Sequence, residues 1–372
     1  MRIISKVLPI IALSVGIICG CTERNGSAII SEASLQEVDS LMIPLDSITT
    51  QSVSKMQMIG DSVLAFYNSP SGHICLYNLH KGTTDKITVF KTGPNAVNAV
   101  DGFCYVAPDS IWIYEMWGKR ITLIDSEGTI KDRRKLSTEN AEHAVMLYPD
   151  ALTPYIVKGD KHYFQGSGSN IEGQKIGTTV IYNAKDSTVF TANPYPAVYG
   201  GPDDLFNWGV FEYRMTCYTM TPQGEMAISF PASDSIYVYN PETDSRKAYF
   251  AGYSKPTDIH LVVFKDEQGK WTNFMSQYNY SFILYDKFNN LYYRLVGIPT
   301  DDYDSENIIK EINRKPLAII ILNSDFEKVG ETMLPRDCYL FAKSFVTEKG
   351  LHISVESEDD DFMKFRTFKA VK

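Results

Sequence analysis

The sequence predicts an all-β fold, a six-bladed β-propeller of four-stranded antiparallel blades, from three observations. The 372 residues include 23 Tyr, 19 Phe, 24 Gly and 17 Pro, a composition typical of many short strands joined by turns. A turn followed by a short apolar strand recurs, with strand starts at residues 63, 111, 162, 226, 291 and 351. After each of the first five, a β-branched and aromatic run ends in Asn or Asp. A repeat of roughly fifty residues with four strands per unit is the pattern of propeller blades.

Each recurrent turn lies between two apolar stretches, so it predicts the hairpin between the first and second strands of a blade. The third strands end at Asn78, Asp125, Asn183, Asn240 and Asn323. An Asx side chain can accept hydrogen bonds from backbone N–H groups ahead of it and start a turn. We therefore expect a turn after each, followed by fourth strands at 86–90, 130–136, 187–192, 245–250 and 328–334.

The sixth unit supplies only three strand-like segments, at 339–346, 351–355 and 362–368. The segment 38–46 near the N-terminus is strand-like and precedes the first complete unit. Pairing it with the last blade would close the ring and remove the exposed edges of an open sheet. A two-sheet sandwich or two separate β domains remain alternatives, but they explain six similar units less economically.

The first twenty residues have the layout of a secretory signal. Arg2 and Lys6 precede an apolar run of twelve residues, which is too short to span a bilayer as a stable anchor. The ending of this run resembles the bacterial lipoprotein signal, in which Cys21 would receive the lipid. The predicted organisation is therefore a signal peptide at 1–20, a lipidated Cys and tether at 21–36, and a propeller at 37–372. An ordinary exported protein with an incidental Cys is the alternative.

This layout predicts an exported protein that is lipid-anchored to the cell envelope, most simply to the outer membrane. Whether it lies on the periplasmic or the surface side of that membrane stays open. Removal of residues 1–20 takes away two basic side chains and leaves 34 basic against 45 acidic ones, or −11. We expect the membrane to be contacted through the lipid alone, because no polybasic segment follows Cys21. The acidic balance also excludes a nucleic-acid partner, whose affinity would depend on clustered Lys and Arg.

The chain resembles the TolB-like six-bladed propeller lipoproteins of Bacteroidota, a functionally unassigned group. Three features carry the resemblance: the lipoprotein signal, the Gly-containing hairpins, and strands that end in an apolar residue followed by Tyr and Asn. The resemblance covers most of the mature chain and consists of architectural features. It implies a cell-envelope propeller and no known reaction.

Chemistry-bearing motifs are few. Cys75, Cys104, Cys217 and Cys338 lie in apolar runs without CxxC spacing, so we expect buried free thiols. HExxH, GxSxG, GxxxxGK and GxGxxG are absent. The acidic stretches 301–307 and 356–361 lack the spacing of an EF-hand, which favours solvated turns over a calcium site. We therefore expect no cofactor, with calcium as the one alternative.

Ligands of propellers usually meet the loops that join successive blades, a location given by analogy of fold. The longest such loops are 193–213 and 252–278, and both are rich in aromatic side chains. Aromatic faces beside charged groups are what a sugar or peptide site needs. The alternative is that they form a satellite core over the sheet ends. The candidate ligand-binding residues are Trp117, Arg120, Tyr199, Asp203, Trp208 and Trp271.

The sequence thus predicts a monomeric envelope propeller that binds a protein, peptide or glycan without turnover. One rival is a hydrolase, lyase or lactonase with an axial site of carboxylates and His73 or His143, for which calcium is the candidate cofactor. Another is a purely structural module of a larger envelope complex.

Overall fold

The computed structural model describes residues 33–53, 55–136, 145–168, 177–200, 208–255, 259–260 and 266–372. It confirms the predicted six-bladed propeller, since six antiparallel sheets follow one another along the chain. The first strand of the described chain, β1 (Ser34–Pro44), belongs to the sixth blade.

Blade 1 consists of β2 (Met56–Ile59), β3 (Val63–Asn68), β4 (His73–Asn78) and β5 (Thr83–Thr88). Blade 2 consists of β6 (Gly102–Ala107), β7 (Ser110–Glu115), β8 (Arg120–Ile124) and β9 (Ile130–Lys135). Blade 3 consists of β10 (Val145–Leu147), β11 (Ile156–Lys158), β12 (Lys161–Gly168), β13 (Thr179–Asn183) and β14 (Thr188–Ala192).

Blade 4 consists of β15 (Cys217–Met220), β16 (Met226–Ser229), β17 (Ser235–Asn240) and β18 (Ser245–Phe250). Blade 5 consists of β19 (Asn279–Asp286), β20 (Leu291–Gly297), β21 (Leu317–Leu322) and β22 (Lys328–Met333). Blade 6 consists of β23 (Tyr339–Thr347), β24 (Gly350–Val355), β25 (Phe362–Val371) and β1.

The antiparallel order gives the ring two different ends. The loop face carries the connections between successive blades and the loops between second and third strands. The hairpin face carries the turns between first and second and between third and fourth strands. Because Ser34 pairs with Val371 and Pro44 with Phe362, β1 enters the ring at the hairpin face.

β1 occupies the outer position of blade 6, beside β25, and begins four residues before the predicted segment. It also contacts blade 5, where Ala33 forms a parallel bridge with Gly330. A Cβ atom at Gly330 would lie 1.8 Å from the carbonyl oxygen of Ala33, so only glycine fits here.

The predicted Asx turns are confirmed in all five blades where the sequence placed them. In each, the side-chain oxygen accepts from backbone N–H groups two to four residues ahead, as Asn78 accepts from His80 and Lys81 at 3.0 and 2.9 Å. The other four turns repeat this pattern at Asp125, Asn183, Asn240 and Asn323. The local chemistry of one residue thus ends the third strand of each blade.

The hydrophobic core consists of layers between neighbouring blades. Six clusters of buried residues lie mainly between adjacent blades, and the cluster that packs Ile43 and Phe365 against Leu64 and Phe66 joins blade 6 to blade 1. The four described cysteines are buried free thiols within this core, as predicted. A fully buried Arg294 links blades 4 and 5 through hydrogen bonds to Ser229 Oγ and to three backbone carbonyls.

Helical elements, which the all-β prediction did not include, occur mainly in the long connections. Helix α1 (Glu267–Ser276) lies between blades 4 and 5, and α2 (Ile308–Glu311) lies within blade 5. The side chain of Asp266 caps α1 by accepting from the Gly269 N–H at 2.7 Å. Short 3-10 turns cover Ala197–Tyr199, Phe211–Tyr213 and Ile312–Arg314. Among the described residues, no helix has the length and apolar character needed to cross a membrane.

Candidate functional site

The predicted ligand residues fall into three groups by their surroundings. Cys21 and Asp203 lie outside the described residues. Tyr199, Trp208 and Trp271 belong to the packing of the loops around blades 3 and 4. Trp117 and Arg120 lie together on the loop face of blade 2.

Tyr199 and Trp208 are 2% and 3% exposed and pack in the core layer between blades 3 and 4. The Trp208 indole N–H donates to the Tyr199 carbonyl at 3.2 Å, and the Tyr199 hydroxyl donates to the Tyr213 carbonyl at 2.7 Å. Trp271, on α1, is half-buried and stands edge-on to Phe274. These contacts give the aromatic residues a supporting role in the loop core, which the sequence analysis had named as the alternative. Direct ligand contact by them stays a prediction.

Trp117 is 87% exposed, at the tip of the tight hairpin that joins β7 to β8. Because β7 and β8 are the second and third strands of blade 2, this hairpin lies on the loop face. Its neighbours in the tip, Gly118 and Lys119, are also exposed, and Lys119 has a left-handed backbone with φ 42°. An exposed indole on a tight turn offers both ring faces to solvent.

A buried ion pair braces the base of this hairpin. The Glu115 carboxylate is 2% exposed and accepts from Arg120 Nε at 2.8 Å and from Nη2 at 2.7 Å. It also accepts from Thr122 Oγ1 at 3.0 Å and from the Asn98 N–H at 3.1 Å. Burial alone would raise the pKa of Glu115, but the hydrogen bonds from Arg120 and Thr122 outweigh it and leave the pKa below its ordinary value. The carboxylate therefore stays ionised, and its hydrogen bonds hold the hairpin in one conformation.

Basic side chains surround the braced hairpin. Arg120 pairs across the ladder with Lys135, and Thr122 pairs with Arg133, so Arg120, Lys135 and Arg133 point to the same side of blade 2. The Lys119 carbonyl accepts from the Leu136 N–H at 2.7 Å, which places the hairpin tip beside the end of β9. We call Trp117, Lys119, Arg120, Arg133 and Lys135 the blade 2 patch.

The central axis is crossed by the chain itself. The innermost position of blade 3 is divided between β10 and β11, and the segment 148–155 between them reaches across the ring. Ala151 packs against the layer between blades 6 and 1, whereas Leu152 packs between blades 5 and 6. Two axial cavities of about 320 and 260 Å³ lie along this segment, and the second is lined by Gly60 and Lys287 of the hairpin face.

Asp150, on the crossing segment, lines the larger cavity together with Lys55. Burial raises the pKa of Asp150, and the hydrogen bonds from Leu152 and Thr153 together with the Lys55 charge reverse only part of this effect. Such a carboxylate in a cavity can mark a functional site. Here, however, its Oδ1 atom accepts from the Leu152 and Thr153 N–H groups at 2.7 and 2.9 Å and holds the turn of its own segment.

Of the two histidines of the rival enzyme model, the structure describes one. His73 lies at the start of β4, and His143 lies outside the described residues. In the part of the chain that the structure describes, no group of three His, Cys, Asp or Glu side chains could hold a metal ion. Within those residues, the blade 2 patch is the site that combines an exposed aromatic ring with a fixed conformation and concentrated charge.

Sequence reasoning identified Trp117 and Arg120 but missed the remaining members of the patch. The signal was present in the run Lys131 to Lys135, where four of five residues are basic. Its meaning depended on the ladder register, which decides that Arg133 and Lys135 share a side with Arg120.

Comparisons with known proteins bear on the fold and the family. A member of the DUF4221 family from Bacteroides vulgatus is similar over 92% of this chain and 99% of its own, with 21% identity and a TM-score of 0.76. Virginiamycin B lyase from Staphylococcus aureus matches 90% of this chain and 99% of its own at 13% identity, with a TM-score of 0.44 that is too low to bear on function. Among curated proteins, none matches significantly. The family model described as a domain of unknown function, DUF4221, matches residues 32–333, and this chain therefore belongs to the DUF4221 family.

Proposed function

We propose that this protein is a lipid-anchored propeller of the cell envelope that binds a ligand or protein partner through its loop face, without turnover. The anchor is Cys21, in the outer membrane, and the mature chain is a monomer. The resemblance of residues 1–21 to a bacterial lipoprotein signal, and of the blades to TolB-like propeller lipoproteins, supports this address. The observation that carries the binding function is the 87% exposed indole of Trp117 on a hairpin braced by a buried ion pair.

Exposed Trp side chains are uncommon on surfaces without a partner, because the indole is among the most favourable groups to remove from water. Binding usually loses part of this gain when the side chain and its loop must be ordered, at about 0.5–1.5 kcal/mol per flexible side chain. The Glu115–Arg120 pair fixes the hairpin in advance and lowers that cost. Trp117 thus has the properties of a preorganised binding anchor.

The point at which the described chain enters the ring supports the same face. β1 enters the ring at the hairpin face, so an anchor twelve residues before Ala33 attaches there, and the loop face with Trp117 is at the opposite end. A partner would therefore meet the loop face from the side away from the membrane.

Site-specific crosslinking tests the proposal. The photoreactive amino acid p-benzoylphenylalanine replaces Trp117 in cells that produce the full chain, and the same replacement at Phe250 is the control. Phe250 is 64% exposed at the loop-face end of β18, so the control position is also exposed on this face but lies two blades away and outside the braced hairpin.

We expect a crosslinked product of defined size from position 117, absent from position 250, and competed away by an excess of unmodified protein. Ligand recovered after release should be chemically unchanged. Equal labelling at both positions, or no product at 117, would contradict the proposal. Replacement of Cys21 by Ala should release the chain from the membrane fraction while leaving its folding unchanged.

A further inference from the structure

The charges around Trp117 indicate which chemistry the site accepts. The chain has a formal net charge of −9, yet residues 116–136 contain six basic and three acidic side chains. Asp125 pairs with Lys131, and Asp132 pairs with Arg134. The third acidic residue, Glu127, lies in the turn between β8 and β9 on the hairpin face. Among the described residues, Lys119, Arg133 and Lys135 have no carboxylate partner.

The ladder places two of these basic side chains opposite each other, and only one of them has an acidic partner. Arg120 lies directly opposite Lys135, and like charges at opposed positions of neighbouring strands destabilise a sheet. Glu115 neutralises Arg120, but its carboxylate is already shared among Arg120, Thr122 and the Asn98 N–H. Lys135 therefore remains available to pair with an anion from solvent.

Building on the proposed function, we propose that the blade 2 patch binds an acidic oligosaccharide segment, with one sugar ring stacked on Trp117 and its carboxylate or sulfate groups paired with Lys119 and Lys135. A sugar ring has an apolar face of C–H groups that matches an open indole face. The patch is small and surrounded by an acidic protein, so it suits a short anionic segment rather than a long polyanion.

The structure favours a glycan over an acidic peptide for two reasons. An extended peptide would bind most simply by adding a strand to the outer edge of β9. The Arg133 and Arg134 side chains of that strand instead reach the carbonyl oxygens of Ala96, before blade 2, and Ala184, in blade 3, so they are not free to pair with the carboxylates of an added acidic strand. Trp117 also projects from a hairpin tip at 87% exposure, whereas a peptide anchor would need a surrounding pocket.

The test measures binding of defined probes to the full mature chain. Trigalacturonic acid and a heparin-derived hexasaccharide are the acidic probes, maltotriose is the neutral control, and a hexapeptide of glutamate is the competing class. We expect the acidic saccharides to bind with a Kd that rises with salt, because exposed charge pairs are screened. Maltotriose should bind at least about tenfold more weakly, since it cannot pair with the lysines.

Paired variants separate the charge from the fold. Lys119→Gln with Lys135→Gln should weaken binding of the acidic saccharides by about tenfold or more while leaving the melting temperature unchanged. Lys247→Gln with Lys364→Gln removes two exposed lysines from the outer strand of blade 4 and from β25 of blade 6 and should leave binding unchanged. Trp117→Ala should also abolish binding.

Several outcomes would overturn the inference: tighter binding of the glutamate peptide, equal binding of maltotriose, no binding of either acidic saccharide, or indifference to the two lysines. If position 117 still gives its specific crosslink in those cases, the proposed function stands and only the ligand class is wrong. If the crosslink is also absent, both proposals fail.

Discussion

The Glu115 carboxylate and the Arg120 guanidinium meet in two hydrogen bonds, of 2.8 and 2.7 Å, at the base of the hairpin that carries Trp117. The acid is buried, whereas the Arg120 side chain is 27% exposed. The pair thus lies where the interior of blade 2 meets its loop face.

Replacement of Glu115 by Gln should lower the free energy of unfolding by about 1–3 kcal/mol, because a charge-assisted bidentate contact is lost while Arg120 and the Asn98 N–H remain. Urea denaturation measures this change. The control is Glu242→Gln, which removes the exposed partner of Lys161 and should cost less than about 1 kcal/mol. Equal effects of the two variants would show that the hairpin does not depend on the buried pair.

Arg294 should be critical for the contact between blades 4 and 5. It is fully buried, its guanidinium lies 4.0 Å from the Tyr280 ring centre, and Nη1 and Nη2 donate to the carbonyls of Ala251, Ser233 and Ser235. Burial lowers the pKa of Arg294 to about 10, so it remains charged at neutral pH. Arg294→Met leaves these acceptors buried without a donor and should cost about 3–5 kcal/mol.

Arg294→Lys should rescue little of this loss, since one ammonium group cannot reproduce the fork of a guanidinium. Arg336→Met is the matched control, because Arg336 is exposed and pairs only with exposed Asp302 in the described structure. Thermal and urea denaturation report both. A stable Arg294→Met protein would mean that apolar packing alone joins these blades.

Two buried histidines predict a loss of stability in acid. His162 accepts or donates a 2.6 Å hydrogen bond with the Tyr155 hydroxyl, and both ring nitrogens of His352 bond threonine hydroxyls, of Thr347 and Thr367. Burial lowers the pKa of each imidazole to about 4 from 6.5, with smaller contributions from nearby lysine or arginine. Between pH 6.5 and 4 the unfolded chain binds protons that the folded chain does not, so the free energy of unfolding falls as the pH falls.

The expected loss across this range is on the order of 3 kcal/mol for each histidine. The measurement is the free energy of unfolding by urea at intervals from pH 7 to pH 4. His352→Gln should make the pH dependence shallower, whereas His80→Gln, at an exposed turn of blade 1, should leave it unchanged. An unchanged slope in His352→Gln would contradict the assignment.

The contribution of β1 to ring closure can be tested with two residues of one strand. Ile43 is 0% exposed in the layer between blades 6 and 1, whereas Val38 is 52% exposed at a β-bulge. Ile43→Asp places an unpaired charge in the core and should cost at least about 3 kcal/mol, while Val38→Asp should change stability by less than about 0.5 kcal/mol. Similar melting temperatures for the two variants would mean that β1 adds little to the ring.

The sequence by itself predicted the features that depend on neighbouring residues. Hairpins, third strands that end at Asn78 or Asn240, and a repeated four-strand unit all follow from turn chemistry and from alternation within a few residues. Helix α1 was missed although Asp266 supplies its N-cap, because the surrounding loop shows no extended repeat of apolar residues at helical spacing.

The tertiary structure decided which of the predicted loop residues face solvent. Trp117 and Trp208 occupy inter-strand loops with similar local composition, yet one is 87% and the other 3% exposed. The difference comes from what packs against them: Tyr199 and Tyr213 cover Trp208, while nothing in the described chain covers Trp117. Likewise, only the register of β8 against β9 brings Lys135 beside Arg120. Burial and charge proximity depend on residues distant in sequence, so local patterns determined the blades, and the assembled ring determined the site.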